Sequence, residues 1–375
     1  MSFKRVLLFT LSLSTFTSFT WAQDDVAFNS LRQIGMGGVG IATGHDIYSL
    51  YMNPAALETA QDNKIYVPLG LQYGQGETGF SALQSAYDSY KKTNNVSAFN
   101  NLVPSEYSIQ AGLSPLGFTQ AGWGVGFFGR GQARIQLLNP VAPRIEGEAF
   151  IDGAALLGKS LTVEIMKTPV TFGASVRFMN RMRWVDSQTN SAHFSVHTAD
   201  LISGDNDVLT QKIQRVNLTG FGGDLGVLMP LGSGQFGAVY RNLGSALQGN
   251  YVTTASRTVS YKESLPSYLG IGYSQPVDAS ELPWVGPLIQ TFTVAADCTF
   301  LHNDMYQNIR LGVEKKIGTI AALRAGLNQG YPTLGLGLDF NLLRLQYAFS
   351  TYEAGQFVGD APVSQHHFEV SLLTY

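Results

Sequence analysis

The sequence has a single cysteine, Cys298, among 375 residues. That excludes an intramolecular disulfide framework and any CxxC metal site. Charge is also scarce, at 14% of residues, against about 25% in typical soluble proteins. Lys and Arg number 24 and Asp and Glu 27, a net charge of −3. There is no basic excess with which to hold a nucleic acid. Beyond residue 22 no apolar run reaches the roughly 18 residues of a membrane-spanning helix. No G-x-S-x-G elbow occurs, so the common esterase arrangement is missing.

The chain is rich in glycine, with 41 residues, and in aromatics, at 11%. It opens with Lys4 and Arg5, the short apolar run VLLFTLSLS and the small-residue site Thr20-Trp21-Ala22. That layout predicts a secretory signal peptide over residues 1–22. Soon after comes GMGGVG, Gly35 to Gly40, which matches the spacing of a dinucleotide-binding loop. Such a loop must follow a buried strand and open a helix. VAFNSLRQI is a poor central strand, and IATGHDIYSLYMNP reaches Pro54 without a convincing helix. An exported chain also has little access to a nucleotide, so no cofactor is expected. Low charge with many glycines and aromatics suggests contact with lipid. A closed β-barrel is the remaining way to span a bilayer, because every backbone donor and acceptor must be paired in hydrocarbon.

Barrel strands show weak alternation over segments of about ten residues. In TFTVAADCTF, Phe292, Val294, Ala296, Cys298 and Phe300 share a face opposite Thr293, Asp297 and Thr299. Ile309, Leu311, Val313 and Ile317 lie opposite Arg310, Glu314 and Lys316. Leu323, Ala325 and Leu327 oppose Arg324 and Asn328, and Leu334, Leu336, Leu338 and Phe340 oppose Asp339. Leu343, Leu345, Tyr347 and Phe349 oppose Arg344 and Gln346. Looser segments cover roughly 65–73, 107–113, 121–129, 149–165, 170–179, 213–229, 235–241 and 266–275, and a last strand spans 366–375. The fold class predicted is all-β, a transmembrane antiparallel barrel of about 14 strands with an N-terminal plug.

Short turns at MKTP, PLGSG, KKIGT and Asn341 are expected on the periplasmic side. Longer connections near 74–106, 130–148, 180–212, 242–265 and 351–365 are expected outside. The connections near 301–307, 329–332 and 276–290 depart from that asymmetry. A soluble sandwich alternates too, but its polar face would be rich in Lys and Glu. Here Asp297, Arg310, Glu314, Arg324, Asp339 and Arg344 mix both signs, as a lumen charge network held by ion pairs would.

Residues 23–62 precede the first strand as a glycine-rich coil, in which Pro54 can open a short helix, AALETA. The remaining 63–375 form the barrel. "LRQIGMGGVGIATGHDIYSLYMNPAAL" resembles the N-terminal signature of outer-membrane barrels related to long-chain fatty acid transporters, the FadL type, which include toluene and xylene channels. It resembles PorV/PorQ-like and conjugation TraF-like relatives more closely still, and "FGAVYRNLG", "LPSYLGIGYSQ" and "LRAGLNQGYPTLGLGLDFNLLRLQYAFS" are similar to the PorV-like branch. The resemblance implies a 14-strand barrel with an internal hatch, to which Gly35, Gly37, Gly38, Asp46, Asn53 and Pro54 would belong. For the fatty-acid branch it implies passive uptake of hydrophobic molecules such as a fatty acid or aromatic hydrocarbon. For the PorV-like branch it implies a scaffold or shuttle for secreted proteins. Either way the expected setting is the outer membrane of a Gram-negative bacterium. Expected partners are membrane lipid and the barrel-assembly machinery, with no nucleic acid. The C-terminal assembly signal departs from the usual pattern: Tyr375 and Leu373 fit, Ser371 and Glu369 do not, and Phe368, Val370 and Leu372 occupy the other frame. A bulge would reconcile the two.

Other candidates read as structural. His193 and His197 on a strand would lie about 13 Å apart, too far to share an ion. His366 and His367 point to opposite faces, and Cys298 falls on the apolar face as a small hydrophobe. FSALQSAYDSYKK predicts an external loop helix with Phe80, Leu83, Tyr87 and Tyr90 on one face. That face would either line a ligand groove or cover the rim. No catalytic constellation is present, so the chain is read as a non-enzyme.

Overall fold

The computed structural model describes residues 28–374 apart from 45, 60–63, 67–70, 77–79, 94–104, 139–143, 198–210, 254, 281–290, 303, 341–342, 354–356 and 360–361. The expected signal peptide, the Asn341 turn and Tyr375 lie outside the described residues. Two short helices, α1 (Leu31–Gly35) and α2 (Ser49–Met52), and a 3-10 turn at Pro54–Thr59 open the described chain. Strands β1 (Lys64–Tyr66) and β2 (Leu71–Gly76) and helix α3 (Phe80–Thr93) follow. Then come β3 (Ser105–Gln120), β4 (Trp123–Leu138), β5 (Arg144–Ile165), β6 (Thr168–Asp186) and β7 (Phe194–His197). β8 (Ile213–Leu231), β9 (Gly234–Val252), β10 (Thr258–Ser264), β11 (Tyr268–Asp278) and β12 (Thr291–Thr299) continue the series. A helical turn, α4 (Met305–Asn308), leads into β13 (Ile309–Ile317), β14 (Ala321–Asn328), β15 (Tyr331–Phe340), β16 (Leu343–Glu353) and β17 (Pro362–Thr374).

Among the described residues these strands form one 17-stranded sheet. Neighbours in sequence pair antiparallel from β2 to β6 and from β11 to β17, while β6 pairs with β8, β8 with β9 and β9 with β11. β17 lies between β16 and β2, and β1 extends the β2 position against β17 and β3. β7 and β10 are short additions on β5 and β9.

The period of two sets the chemistry of the two faces. On β6, Phe172, Val176 and Phe178 are exposed, while Ser175, Arg177, Met179, Arg181 and Arg183 between and beyond them are buried. On β5 Ile151 and Leu157 are exposed and Asp152 is buried. Val176 is 61% exposed and Arg177 1%. In a water-soluble sheet the polarity would be the reverse.

Several expected loops are strand instead. Most of 130–148 belongs to β4 and β5, residues 180–186 extend β6, and β9 and β10 occupy much of 242–265. In 130–149 the face opposite Arg130, Gln132, Arg134, Glu146 and Glu148 is mostly Gly and Ala, so the period shows only weakly in hydropathy. In β9 and β10 the exposed face itself turns polar, at Gln248, Asn250, Ser260 and Lys262. His197 ends β7 and His193 precedes it. The AALETA segment forms the 3-10 turn opened by Pro54. Residues 80–93 are helical as expected, but the side chains of Phe80, Leu83, Tyr87 and Tyr90 lie outside the described residues. The expected bulge in the last strand is not needed: β17 pairs with β16 in one unbroken register from Pro362 to Leu372. Phe368 and Val370 are exposed while His367, Glu369 and Ser371 are buried, so the Phe368 frame prevails.

The largest apolar cluster joins the N-terminal segment to the buried face of the sheet. Phe28, Ile47, Leu50, Tyr51 and Leu57 meet Phe128, Ala154, Leu156 and Met179 there. Leu156→Ala removes a fully buried side chain from this contact. It is expected to cost about 2–5 kcal/mol, read as an earlier midpoint in denaturant unfolding of the detergent-solubilised protein.

Candidate functional site

The buried face of the sheet carries glycines where residues 35–57 lie against it. A Cβ on Gly335 of β15 would stand 3.0 Å from the Cα of Gly35. On Gly326 of β14 it would fall 2.6 Å from the Gly37 nitrogen, and on Gly237 of β9 2.7 Å from the Ile41 carbonyl oxygen. On Gly158 of β5 it would meet Leu50 at 2.7 Å. On Gly173 of β6 and Gly226 of β8 it would collide with Ala55 and Asn53. At Gly335, Gly326, Gly237 and Gly173 backbone meets backbone, and at Gly158 and Gly226 a side chain of the segment fills the space, so these strand positions favour the smallest residue.

The GMGGVG stretch takes its shape from the same contacts. Ser30 and Gln33 form a reciprocal capping box at the start of α1. The helix therefore precedes the glycines instead of following them, the opposite of a phosphate-binding loop. Gly37 and Gly38 adopt φ of 73° and 84°, and the Gly38 amide donates back to the Gln33 carbonyl at 2.7 Å. This left-handed stop is one that glycine adopts at little cost.

Polar anchors hold the segment to the wall. The Gly40 and Ile41 amides donate to one Asp297 oxygen at 2.7 and 3.0 Å. Arg32 grips Glu314 with two nitrogens at 2.9 and 3.0 Å, and Arg324 donates to the same carboxylate at 2.8 Å. Asn53 donates to the carbonyls of Ile41 at 2.8 Å and Val227 at 3.3 Å, and accepts from the Ala55 amide. Asp46 accepts from the Tyr48 amide at 3.0 Å, which caps the turn entering α2. Tyr51 lies between two buried guanidiniums, with Arg241 at 4.1 Å and Arg177 at 5.0 Å from its ring centre.

A second buried group of charges lies farther along the same face. Arg181 binds both oxygens of Asp152 at 2.6 and 2.8 Å, and Arg130 approaches one of them at 3.4 Å. Glu263 receives Arg181 and Arg183, and Arg183 also donates to Glu148 at 2.9 Å. Phe150 sits among them, 4.6 to 5.5 Å from the guanidinium carbons of Arg181, Arg130 and Arg183. The three arginines are matched by three carboxylates. Farther around the wall, Arg177 contacts Asp224 at 3.3 Å and Asn242 at 2.6 Å.

The six charges singled out in the sequence do not form one network. Asp297 is spent on backbone amides, Glu314 and Arg324 join Arg32, and Arg344 pairs with Asp339 at 2.8 Å as a separate unit. Arg310 lies across from Asp297 in the β12–β13 register and beside Gly38. Gly35, Gly37, Gly38, Asn53 and Pro54 lie together against the sheet. The sequence reading missed Arg32, Tyr51 and the Asp152–Arg181 group. The alternation Ser175, Arg177, Met179, Arg181, Arg183 was the available signal, but it ran past the expected end of that strand. Among the described residues no group of His, Cys, Asp and Glu could hold a metal ion.

A scan against protein-family models finds none that matches, and a search of curated proteins finds no similar sequence. Among solved structures the chain is similar to the Pseudomonas putida toluene transporter TodX, at 13% identity over 92% of this chain and 96% of that one, TM-score 0.46. The Ralstonia pickettii toluene transporter TbuX shows 12% identity, with coverage of 93% and 99% and a TM-score of 0.48. A Pseudomonas aeruginosa FadL homologue shows 11% identity, with coverage of 92% and 97% and a TM-score of 0.48.

Two substitutions separate the roles of space and charge. Gly326→Val is expected to push residues 31–41 off the wall, seen as faster amide exchange there while the β circular-dichroism signal persists. Asp152→Ala removes the buried carboxylate that Arg181 and Arg130 share, leaving Arg181 with Glu263, and is expected to cost about 3–5 kcal/mol, measured by denaturant titration.

Proposed function

We propose that this chain is a passive conduit for hydrophobic small molecules in the outer membrane of a Gram-negative bacterium. In this reading the sheet closes into a barrel of about 14 strands, and residues 28–59 form a hatch inside it. The pairing of β17 with both β16 and β2 supports closure. Exposed leucine, valine and phenylalanine opposite buried arginine, aspartate and glutamate is the polarity that a lipid-wrapped wall needs. The observation that carries the function is the glycine-lined seat: a segment held at backbone distance inside the wall stops free diffusion of water and ions.

Two features favour an apolar cargo. The buried Arg130, Arg177, Arg181 and Arg183 are matched by carboxylates, so this group offers little net charge to an ionic solute. Where the hatch meets β4, Phe28, Tyr48 and Tyr51 form an aromatic cluster with Phe128, with ring centres 5.3 to 5.8 Å apart in the three described pairs. Gly35, Gly37, Gly38, Asn53 and Pro54 shape the hatch. Asp46 holds the turn before α2 through the Tyr48 amide. The resemblance of the N-terminal signature to FadL-type barrels agrees with this assignment.

Uptake of radiolabelled oleate and of toluene by cells with and without the gene tests the proposal. Deletion is expected to slow entry of at least one of them several-fold, and restored wild-type protein to recover it. Equal uptake of both compounds by the two strains, with the protein confirmed in the outer membrane, would falsify the conduit. Val176→Arg is expected to lower folding stability by about 2–4 kcal/mol in lipid vesicles. If that change is neutral, this wall does not face hydrocarbon.

A further inference from the structure

The hairpin of β5 and β6 reaches past its neighbours at the end of the sheet nearest the hatch. β4 pairs with β5 only as far as Lys159, and β8 pairs with β6 only from Thr171. Between those limits, among the described residues, Leu161–Val170 is paired only with itself. The two-residue period carries the exposed face of Leu157 on through Leu161, Val163 and Ile165, which are 61%, 42% and 44% exposed. Phe172 is exposed opposite Leu161, and Met166 at the tip is 96% exposed. The other face is polar: the Thr162 and Thr171 hydroxyls bond at 2.8 Å, and Glu164 follows. Beyond the wall the hairpin therefore remains amphipathic, with its apolar side in line with the exposed apolar band.

Its backbone limits where it can lie. Neither outer edge of Leu161–Val170 has a strand partner among the described residues. In the hydrocarbon core, each unmet N–H and C=O would cost several kcal/mol. The membrane edge is marked just above the hairpin, where the Lys159 ammonium sits 4.5 Å over the Trp123 ring. A lysine on tryptophan is an arrangement suited to the lipid–water boundary. From Leu161 to Ile165 the arm runs about 13 Å farther.

We propose that this hairpin lies in the headgroup–acyl boundary of the periplasmic leaflet, with Leu161, Val163 and Ile165 against lipid and its open edges hydrated. Continuity with the apolar band selects lipid as the occupant over a protein strand or a second copy. The hatch ends directly above, where Ser160 donates to Glu58 at 3.1 Å, so the anchor joins the floor of the conduit to the membrane. The inference rests on the membrane-barrel reading of the preceding section.

The test uses the full chain carrying Cys298→Ser, in vesicles of phosphatidylethanolamine and phosphatidylglycerol. Nitroxide labels are attached to Leu161→Cys, Val163→Cys, Ile165→Cys and Glu164→Cys, with Val176→Cys as the reference. Collision with oxygen is expected to exceed collision with a water-soluble nickel chelate several-fold at 161, 163 and 165, and the ratio to invert at 164. Equal nickel access at all four hairpin positions, with 176 lipid-exposed, overturns the anchor and leaves the barrel standing. Shielding from both reagents at 161–165 also overturns it, and indicates a second copy if dilution with lipid relieves it. Nickel access at 176 itself means that the membrane reading has failed.

Discussion

The contact on which the structure turns is backbone against backbone, where residues 35–55 press on the buried face of the sheet. At Gly335, Gly326 and Gly237 the opposing main chains come so close that one added carbon would overlap them. A strand normally loses stability by carrying glycine. Here the loss is offset by what the missing side chains admit: α1, the GMGGVG turn and the Asn53-Pro54 corner, with their amides satisfied by Asp297 and their carbonyls by Asn53. The abundance of glycine and the presence of an internal segment are one fact.

The same packing decides what the charges do. Removing arginine and carboxylate from water is costly, and the cost is met only when each finds a partner with good geometry. Arg181 with Asp152, Arg32 with Glu314 and Arg177 with Asp224 and Asn242 meet that demand. Such pairs add little net stability compared with well-packed apolar residues. They allow a polar inner face to coexist with an apolar outer one, which a membrane wall must present. Aromatic rings share the work: Tyr51 lies between Arg241 and Arg177, and Phe150 among three arginines. The N-terminal segment is thus bound to the wall by shape, by hydrogen bonds and by cation–π contact together.

Glycine contacts distributed over β5 to β15 resist displacement of the segment as a whole, since many close fits would be lost at once. The aromatic cluster of Phe28, Tyr48, Tyr51 and Phe128 packs one flank of the segment against β4, with all four residues buried. In the conduit proposed above, local movement at that flank would open apolar surface to a hydrophobic solute while leaving the glycine seat in place.

Alternation from Phe292 to Phe349 made the strand character and the outward face of β12 to β16 legible before any coordinates, because a period of two is a local property. The stop after α1 was partly legible too, since glycines in succession permit left-handed turns. Strand lengths in β4, β5 and β6 were not, because the face opposite the charges there is largely Gly and Ala, which gives the period little hydropathic contrast, and pairing with neighbours is what extends them. Asp297 was noticed as an inward charge, but its partners proved to be amides 256 and 257 residues away. Arg32 meets Glu314 across 282 residues. Composition and period determined that this chain makes sheet with an apolar side. Which glycines face the N-terminal segment, and which charge meets which, was decided only when distant strands paired, since no local rule couples residues so far apart.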